Sequence, residues 1–276
     1  MALLETKNLH TYFKTRRGIV KAVNGVSYAI EPGKTLGVVG ESGSGKSVSA
    51  MSILRLLDGN GYVDSGEILF DGKDLTKIPM SEMYHIRGNQ ISVIFQEPMT
   101  ALNPVFSVER QLSEPFIIHR HMSKKQAAEA AVKMLADVKI PNPEVVVKQY
   151  PHQLSGGMRQ RVVIAIALSC NPDLLICDEP TTALDVTIQA KIIELIKKVQ
   201  KERGISVIYI THDLGVVAKV ADFINVMYAG KIVERGTTNE IFYDPRHPYT
   251  WGLLSSMPDL DTDDERLYTI PGSPPN

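Results

Sequence analysis

Residues 40–47 form a segment that could bind a polyphosphate. They match the pattern G-x-x-x-x-G-K-S/T, in the order Gly40-Glu41-Ser42-Gly43-Ser44-Gly45-Lys46-Ser47. The glycines let the backbone curl so that its N–H groups point at phosphate oxygens, and a helix that begins here adds the positive end of its dipole. Lys46 would place a cation on the β- and γ-phosphates, and the Ser47 hydroxyl would be a magnesium ligand. A chance Gly/Ser-rich turn is the alternative, which the flanking strand and helix patterns disfavour.

Two acids at the end of an apolar run could act on a phosphate. Asp178 and Glu179 follow the run 174–177. In a parallel sheet, ligands sit at the carboxyl ends of strands, so we expect both acids to face the loop 40–47. Asp178 would then orient the magnesium shell, while Glu179 would polarise an attacking water as general base or as its orienter. An ordinary strand end with two solvated acids is the alternative.

A second anion site is predicted shortly before that strand. Ser155 has the character of a helix N-cap, and Gly156 and Gly157 after it leave the first helical amides open. The chain thus has two phosphate-facing helix ends but one phosphate loop. This combination suggests that two chains share each nucleotide.

The elements that must position these residues indicate an α/β fold. Short β-rich runs occur at 26–30, 35–39, 66–70, 91–95, 174–177, 206–210 and 223–227. The continuous apolar character of the later runs suits a parallel sheet that is buried on both faces. From about 98 to 170 the pattern is helical, and it includes a capping box at Ser123–Gln126. After about Arg235 the chain is rich in turn residues, and we expect an irregular extension there.

Composition and charge exclude several classes of protein. Of 276 residues, 43% are hydrophobic and 22% charged, and 30 basic against 31 acidic side chains leave a net charge of −1. This balance argues against a nucleic-acid partner held by bulk charge. The N-terminus lacks the apolar core of a signal peptide, and no run approaches the length of a membrane span. With Cys170 and Cys177 as its cysteines, the protein is expected in a reducing cytosol.

Residues 154–161 resemble the signature motif of the ATP-binding subunit of an ABC transporter. They read Leu-Ser-Gly-Gly-Met-Arg-Gln-Arg. By this resemblance, the fold is a P-loop NTPase core with an antiparallel β subdomain, a helical insert and a C-terminal extension. The core would comprise residues 1–97 and 171–235, the helical subdomain 98–170, and the extension 236–276.

Other motifs of that family follow in the same order. Gln96 resembles the Q-loop glutamine, which contacts magnesium and relays to the membrane subunit, and residues 183–185, ending in Asp185, resemble the D-loop across the dimer. His212 resembles the switch histidine that contacts the γ-phosphate. The adenine-stacking aromatic near the N-terminus is best matched by Phe13, with Tyr12 as the alternative. Separately, each of these could be an ordinary loop, capping or core residue.

Three longer segments resemble the oligopeptide, dipeptide and nickel importer branch of this family: residues 95–104, 178–189 and 246–250. That branch works as two related ATPases beneath two membrane subunits, fed by a substrate-binding protein. Its members often carry a cysteine-rich segment for a 4Fe–4S cluster after a proline-rich stretch such as 270–275. The sequence given stops at Asn276, before any such cysteines, and leaves open whether the full-length protein continues into that segment or lacks the cluster. On these residues alone, no iron–sulfur centre is predicted.

The resemblance implies an ATP- and Mg²⁺-dependent ATPase that powers import of peptides or a related small solute. It would be peripheral, on the cytoplasmic face of the cell membrane, and would pair with a second ATPase subunit. A soluble ABC ATPase of DNA repair or translation is one alternative, and a nucleotide-sensing module that does not hydrolyse ATP is another. The sequence leaves open the solute and whether the dimer is homo- or heteromeric.

Overall fold

The computed structural model describes residues 2–181 and 185–256. The chain divides into two compact units, residues 1–78 with 208–276 and residues 79–207. The domain boundaries expected from the motifs do not coincide with these units and stay a prediction. None of the described helices has both the length and the apolar composition that crossing a membrane requires.

Three strands of the antiparallel sheet are long, with 12, 13 and 10 residues in β1, β2 and β4, and the others are short. They are β1 (Leu4–Thr15), β2 (Gly18–Ile30), β3 (Thr35–Val39), β4 (Gly61–Phe70), β5 (Lys73–Asp74), β6 (Ile91–Ile94), β7 (Leu174–Asp178), β8 (Ser206–Thr211), β9 (Phe223–Tyr228) and β10 (Lys231–Thr237).

The helices cluster in the middle of the chain and recur near its end. They are α1 (Lys46–Ile53), α2 (Met80–Ile86), α3 (Pro98–Ala101), α4 (Val108–Arg120), α5 (Lys124–Asp137), α6 (Pro143–Val146), α7 (Gly156–Leu168), α8 (Val186–Arg203), α9 (Leu214–Val220), α10 (Thr238–Tyr243) and α11 (Pro248–Ser255).

The first unit contains an antiparallel sheet in the order β2-β1-β4-β5. Leu4 pairs with Ile30 on one side and with Phe70 on the other. One face of this sheet contacts α1 through polar groups, since the hydroxyls of Thr11 and Ser52 lie 2.8 Å apart. The sheet therefore covers the helix that follows the phosphate loop.

The same unit also contains parallel strands. β3 pairs in parallel with β9, and β9 pairs antiparallel with β10, in the order β10-β9-β3-β8. All five residues of β3 are buried, as expected for a strand covered on both faces. Val39, the last residue of β3, belongs to a core cluster with Leu214, Ile241, Tyr249 and Leu253. Helices α9, α10 and α11 thus pack around the strand that leads into the loop.

In the second unit, β6 and β7 pair in parallel and α7 contacts β6. Helices α4, α5 and α7 pack on one another through fully buried residues such as Leu112, Leu135 and Val162. The capping box at Ser123 is confirmed: the Ser123 hydroxyl accepts from the Gln126 amide, and the Gln126 side chain accepts from the Ser123 amide. The helical character expected between 98 and 170 is confirmed as well.

The predicted α/β class with an antiparallel sheet and a helical insert is confirmed, and one part of the extension is more regular than expected. Residues 238–243 and 248–255 are helical. The sequence did not predict these helices because the segment is rich in turn residues. Pro248, for example, is the first residue of α11, where the missing N–H of proline breaks no helical hydrogen bond. The expectations for 257–276 lie outside the described residues.

Close packing of β3 on α9 gives a test of the fold. A Cβ at Gly37 would lie 2.5 Å from Cγ1 of Val217 and 3.2 Å from Cβ of Ala221. We expect Gly37→Ala to lower the free energy of unfolding by about 1–3 kcal/mol, the usual cost of overpacking a core. Urea denaturation followed by circular dichroism measures it. Gly59→Ala is the control, because a Cβ there meets nothing within 4 Å; an equal effect at both positions would contradict the packing argument.

Candidate functional site

The phosphate loop connects the end of β3 to the start of α1. Gly40, Gly43 and Gly45 have φ angles of 148°, 81° and 97°, which side chains rarely adopt. Space is also limited: a Cβ at Gly40 would lie 2.2 Å from the Met227 carbonyl oxygen, and one at Gly45 would lie 2.3 Å from the Ala22 carbonyl oxygen. Neighbouring backbone therefore requires glycine at both ends of the loop.

Lys46 is folded over the loop. Its side chain is buried, and Nζ donates to the carbonyl oxygens of Gly40 and Glu41 at 2.7 and 2.8 Å. The Ser44 hydroxyl is buried too and has no hydrogen-bond partner among the described residues. The loop thus holds a desolvated cation beside an unpaired hydroxyl, and both groups suit a phosphate ligand.

The start of α1 is open to an anion. Ser42, Gly43 and Ser47 are exposed, and the first turn of α1 has no acidic residue. The positive end of the helix dipole is therefore not compensated by a local carboxylate. The hydroxyl of Ser47 is a hard oxygen donor of the kind that Mg²⁺ prefers, as are the Asp178 carboxylate and the Gln96 amide oxygen.

The structure separates the two candidate aromatic residues onto opposite faces of β1. Tyr12 makes edge contacts with His10 and Tyr62, and Lys21 Nζ lies 5.6 Å from the centre of its ring. Phe13 shares a face with Thr11, which is the face that contacts α1. The Phe13 ring lies close to the Gly61 backbone, where an added Cβ would be 2.6 Å from Cε1. Phe13 therefore lies on the α1 side of the sheet and Tyr12 on the other side; which of the two stacks on adenine stays a prediction.

In the second unit, Glu179 and Gln96 contact each other. β7 ends at Asp178, whose side chain is buried, and Glu179 follows with φ of 47°. Eight other described non-glycine residues have a similar left-handed φ, so this conformation does not by itself mark Glu179 as functional. Gln96, two residues after β6, donates from Nε2 to Glu179 Oε2 at 2.9 Å. Parallel pairing of β6 with β7 explains why two residues so distant in sequence meet.

Cys177 directly precedes Asp178 and Glu179, and its thiol is not activated as a nucleophile. The residue is fully buried and is a free cysteine, outside any disulfide. Burial raises the pKa of its thiol, and the neighbouring Asp178 carboxylate raises it further. Cys177 is therefore a neutral, small core residue, as its position in an apolar strand indicates.

The segment 155–157 begins α7 as the sequence predicts. The Ser155 hydroxyl accepts from the Met158 amide at 3.3 Å, and Ser155 and Gly156 are exposed. Gly157 has a different constraint, because a Cβ there would lie 3.0 Å from Cγ2 of Ile188. The side chain of Asp185 accepts from the Ile188 amide at 2.9 Å and so caps α8. Ile188 thereby brings Gly157 and Asp185 together; residues 183 and 184 lie outside the described residues.

His212 lies in the first unit, just after β8. It is exposed, and Asp213 after it caps α9 by accepting from the Val216 amide at 3.2 Å. The same unit therefore contains Phe13, the phosphate loop and His212, and the second contains Gln96, Asp178, Glu179, Ser155, Gly156, Gly157 and Asp185. The expectation that Asp178 and Glu179 face the loop spans both units and stays a prediction.

Two residues with structural roles at the site were missed in the sequence. Gln160 is fully buried, and its Nε2 donates to the Pro180 carbonyl oxygen at 2.6 Å, which links α7 to the turn after Glu179. Tyr249 contacts the Glu41 amide. Gln160 lies in the signature segment and could have been noticed as a polar residue on an apolar helix. No local signal connects Tyr249 to the loop.

Comparisons with known proteins identify the family. The ABC transporter family model matches residues 23–182, and the model of the oligopeptide/dipeptide transporter C-terminal region matches residues 233–276. The chain is similar to the oligopeptide transport ATP-binding protein OppD of Bacillus subtilis, with 58% identity over 99% of this chain and 77% of that protein. It is 56% identical to the dipeptide transport ATP-binding protein DppD of the same organism, over 99% of this chain and 82% of DppD.

Solved structures agree with this fold. The dimeric, post-hydrolysis ATP-binding cassette MJ0796, bound to ADP and Pi, has a TM-score of 0.76 and 29% identity, covering 85% of this chain and 98% of that one. CbiO1 from Clostridium perfringens, part of the transporter complex cbiONQ, has a TM-score of 0.73 and 28% identity, covering 88% and 91%. The chain belongs to the ATP-binding subunits of ABC transporters and carries the C-terminal region of the oligopeptide/dipeptide transporters.

Proposed function

We propose that this chain is the ATP-hydrolysing subunit that powers import of peptides, or of a related small solute, through an ABC transporter. The observation that carries the proposal is the phosphate loop, where glycine backbone, buried Lys46 and the unpaired Ser44 hydroxyl converge. Membership of the family and similarity to oligopeptide and dipeptide transport proteins support the peptide class.

We assign ATP binding to residues of the first unit. Lys46 and the loop amides bind the phosphates, Phe13 stacks on adenine, and His212 contacts the γ-phosphate. The exposed position of His212 and the position of Phe13 on the α1 side of its sheet support these roles. When bound with ATP, Mg²⁺ would neutralise charge on the phosphate oxygens, and Ser47, Gln96 and Asp178 would hold it.

Glu179 is assigned to the hydrolytic step. It polarises the water that attacks the γ-phosphate, and Gln96 orients its carboxylate through the 2.9 Å hydrogen bond. The position of Glu179 directly after β7 and its contact with Gln96 support this role. Gln160 restrains the turn after Glu179 through the adjacent Pro180 carbonyl.

Two such subunits would share each nucleotide. Ser155, Gly156 and Gly157 contact the ATP of the opposite subunit, and Asp185 lies across the same interface. The exposed, capped start of α7 supports this arrangement, as does the dimeric state of a similar cassette. Closure over ATP would be the mechanical step delivered to the membrane subunits.

The remaining partners follow from the same proposal. They are two permease subunits in the membrane, a second ATPase subunit and, indirectly, a substrate-binding protein, with the chain peripheral on the cytoplasmic face. The core would comprise 1–97 with 171–235, the helical subdomain 98–170 and the extension 236–276. The net charge of −1 supports the absence of a nucleic-acid partner.

Removal of the loop cation tests binding. Lys46→Ala deletes a charge-assisted contact, so we expect ATP affinity to fall about tenfold to a hundredfold while the fold persists. Titration calorimetry measures the affinity. Lys125→Ala, at an exposed position of α5, is the matched control and should bind as the parent does. Unchanged affinity in folded Lys46→Ala would remove the loop from the proposal.

Removal of the Glu179 charge tests hydrolysis. Glu179→Gln keeps the size of the side chain and an oxygen that can accept from Gln96, but it removes the carboxylate that polarises water. We expect phosphate release to slow by about 10²–10⁴-fold while ATP still binds. An ATP-bound dimer should also accumulate and be visible by light scattering, with the partner subunit supplied if the dimer is heteromeric.

The control for Glu179 is the exposed Glu129 on α5, where the same change to Gln should leave hydrolysis as in the parent. Hydrolysis by Glu179→Gln at the parental rate would contradict the catalytic assignment. That result would favour the alternative in which the two acids are a metal ligand and a solvated neighbour.

A charge at the start of α7 tests the shared site. Gly156→Asp adds an acid in the first turn, which favours the helix but repels a phosphate. We expect the variant to bind ATP as a monomer and to lose hydrolysis. Mixing it with Lys46→Ala gives pairs with one site that carries both defects and one that carries neither, so activity should partly return. Gly156→Ala is the uncharged control, and full activity in Gly156→Asp alone would contradict shared sites.

A further inference from the structure

The C-terminal extension reaches the phosphate loop directly. The hydroxyl of Tyr249, in the first turn of α11, accepts a hydrogen bond from the Glu41 amide at 3.0 Å, across 208 residues of sequence. Both residues belong to the same unit. The loop is thus contacted from a segment that matches the oligopeptide/dipeptide C-terminal model and lies outside residues 23–182, which match the general ABC transporter model.

Hydrogen bonds before Tyr249 fix the start of its helix. The Glu234 carboxylate on β10 accepts from the backbone amides of Arg246 and His247 at 2.6 and 3.1 Å. His247 then caps α11, because its Nδ1 accepts from the Tyr249 amide at 3.1 Å. The backbone from which Tyr249 projects is therefore tied to the sheet that contains β3.

Packing fixes the direction of the Tyr249 ring. Its centre lies 4.6 Å from that of Tyr228, and the residue shares a core cluster with Val39, Val226 and Leu253. Tyr249 is buried, and burial raises the pKa of its phenol. The hydroxyl therefore stays neutral at physiological pH and can accept from the Glu41 N–H without adding a charge near the phosphates.

Glu41 links Tyr249 to Lys46, because its backbone forms hydrogen bonds with both side chains. Its carbonyl oxygen accepts from Lys46 Nζ at 2.8 Å and from the Ser44 amide at 3.2 Å, while its amide donates to Tyr249. A fixed backbone at Glu41 sets the position of the carbonyl that holds the ammonium group. A hydrogen bond at one end of the residue thus restrains the cation at the other.

We propose that Tyr249 is a positioning residue by which the C-terminal extension preorganises the phosphate loop for ATP. This inference rests on the proposed function and deepens it by adding a determinant of nucleotide affinity outside the phosphate-loop motif itself. Coupling between two sites is reciprocal, so nucleotide binding must stabilise the contact between α11 and the loop by the same factor.

The test removes the hydroxyl and keeps the ring. Loss of one neutral hydrogen bond corresponds to about a three- to tenfold change in an equilibrium constant, so the Kd of Tyr249→Phe for the fluorescent analogue MANT-ATP should rise by that factor. Tyr243→Phe is the matched control, because Tyr243 on α10 is 87% exposed. Its Kd should equal that of the parent.

A double-mutant cycle separates positioning from general destabilisation. Because Tyr249 acts through the carbonyl that holds Lys46, Tyr249→Phe in a Lys46→Ala background should raise Kd by much less than it does alone. A purely structural role predicts equal factors in both backgrounds. Equal factors would overturn the proposal.

Hydrogen exchange of the full chain gives a second readout. The Glu41 amide should exchange faster in Tyr249→Phe than in the parent, with core amides of β3 unchanged, and MANT-ATP should slow exchange in α11 of the parent. An unchanged Glu41 rate together with an unchanged Kd would overturn the inference while leaving ATP binding intact. Failure of the parent itself to bind MANT-ATP would instead count against the proposed function.

Discussion

The closeness of backbone to the two ends of the phosphate loop is the constraint on which the rest of the structure depends. The carbonyl oxygens of Met227 and Ala22 occupy the space where side chains of Gly40 and Gly45 would lie. Further hydrogen bonds tie these neighbours together, since the Gly230 amide donates to the Ser44 carbonyl and the Asn24 amide donates to the Gly230 carbonyl. The contacts with β2 and with the β9–β10 turn therefore determine the path of the loop backbone. The glycines of the loop allow the backbone conformation that these contacts require.

Lys46 is buried beside this loop, and its charge would favour an anionic ligand there. Taking an ammonium group out of water has a large free-energy cost unless hydrogen bonds replace the lost hydration. The carbonyl groups of Gly40 and Glu41 provide part of that replacement. Carbonyl oxygens carry no net charge, so they leave the positive field of the ammonium available to a phosphate. A preformed site of this kind spends little binding energy on ordering.

The sequence predicted those features that depend on residues close together in the chain. The phosphate loop was predictable because its pattern lies within eight consecutive residues. The caps at Ser123 and Ser155 were predictable because a cap bonds to an amide three residues away. Contacts made by tertiary packing were not predictable in this way. Ile188 explains why Gly157 has no side chain, and no spacing in the sequence relates these two residues. The helices α10 and α11 were missed because turn residues surround them and tertiary packing on β3 stabilises them.

The two units position their reactive groups by a common physical device. In each, a turn or loop follows a buried strand, and a hydrogen bond with a residue distant in sequence restrains the backbone of that turn or loop. Tyr249 does this for the loop after β3, and Gln160 does it for the turn after β7. Both restraints act on backbone groups close to a candidate site residue. Glu179 directly precedes the Pro180 carbonyl that Gln160 holds, and Lys46 is bound by the carbonyl group of Glu41, whose amide donates to Tyr249.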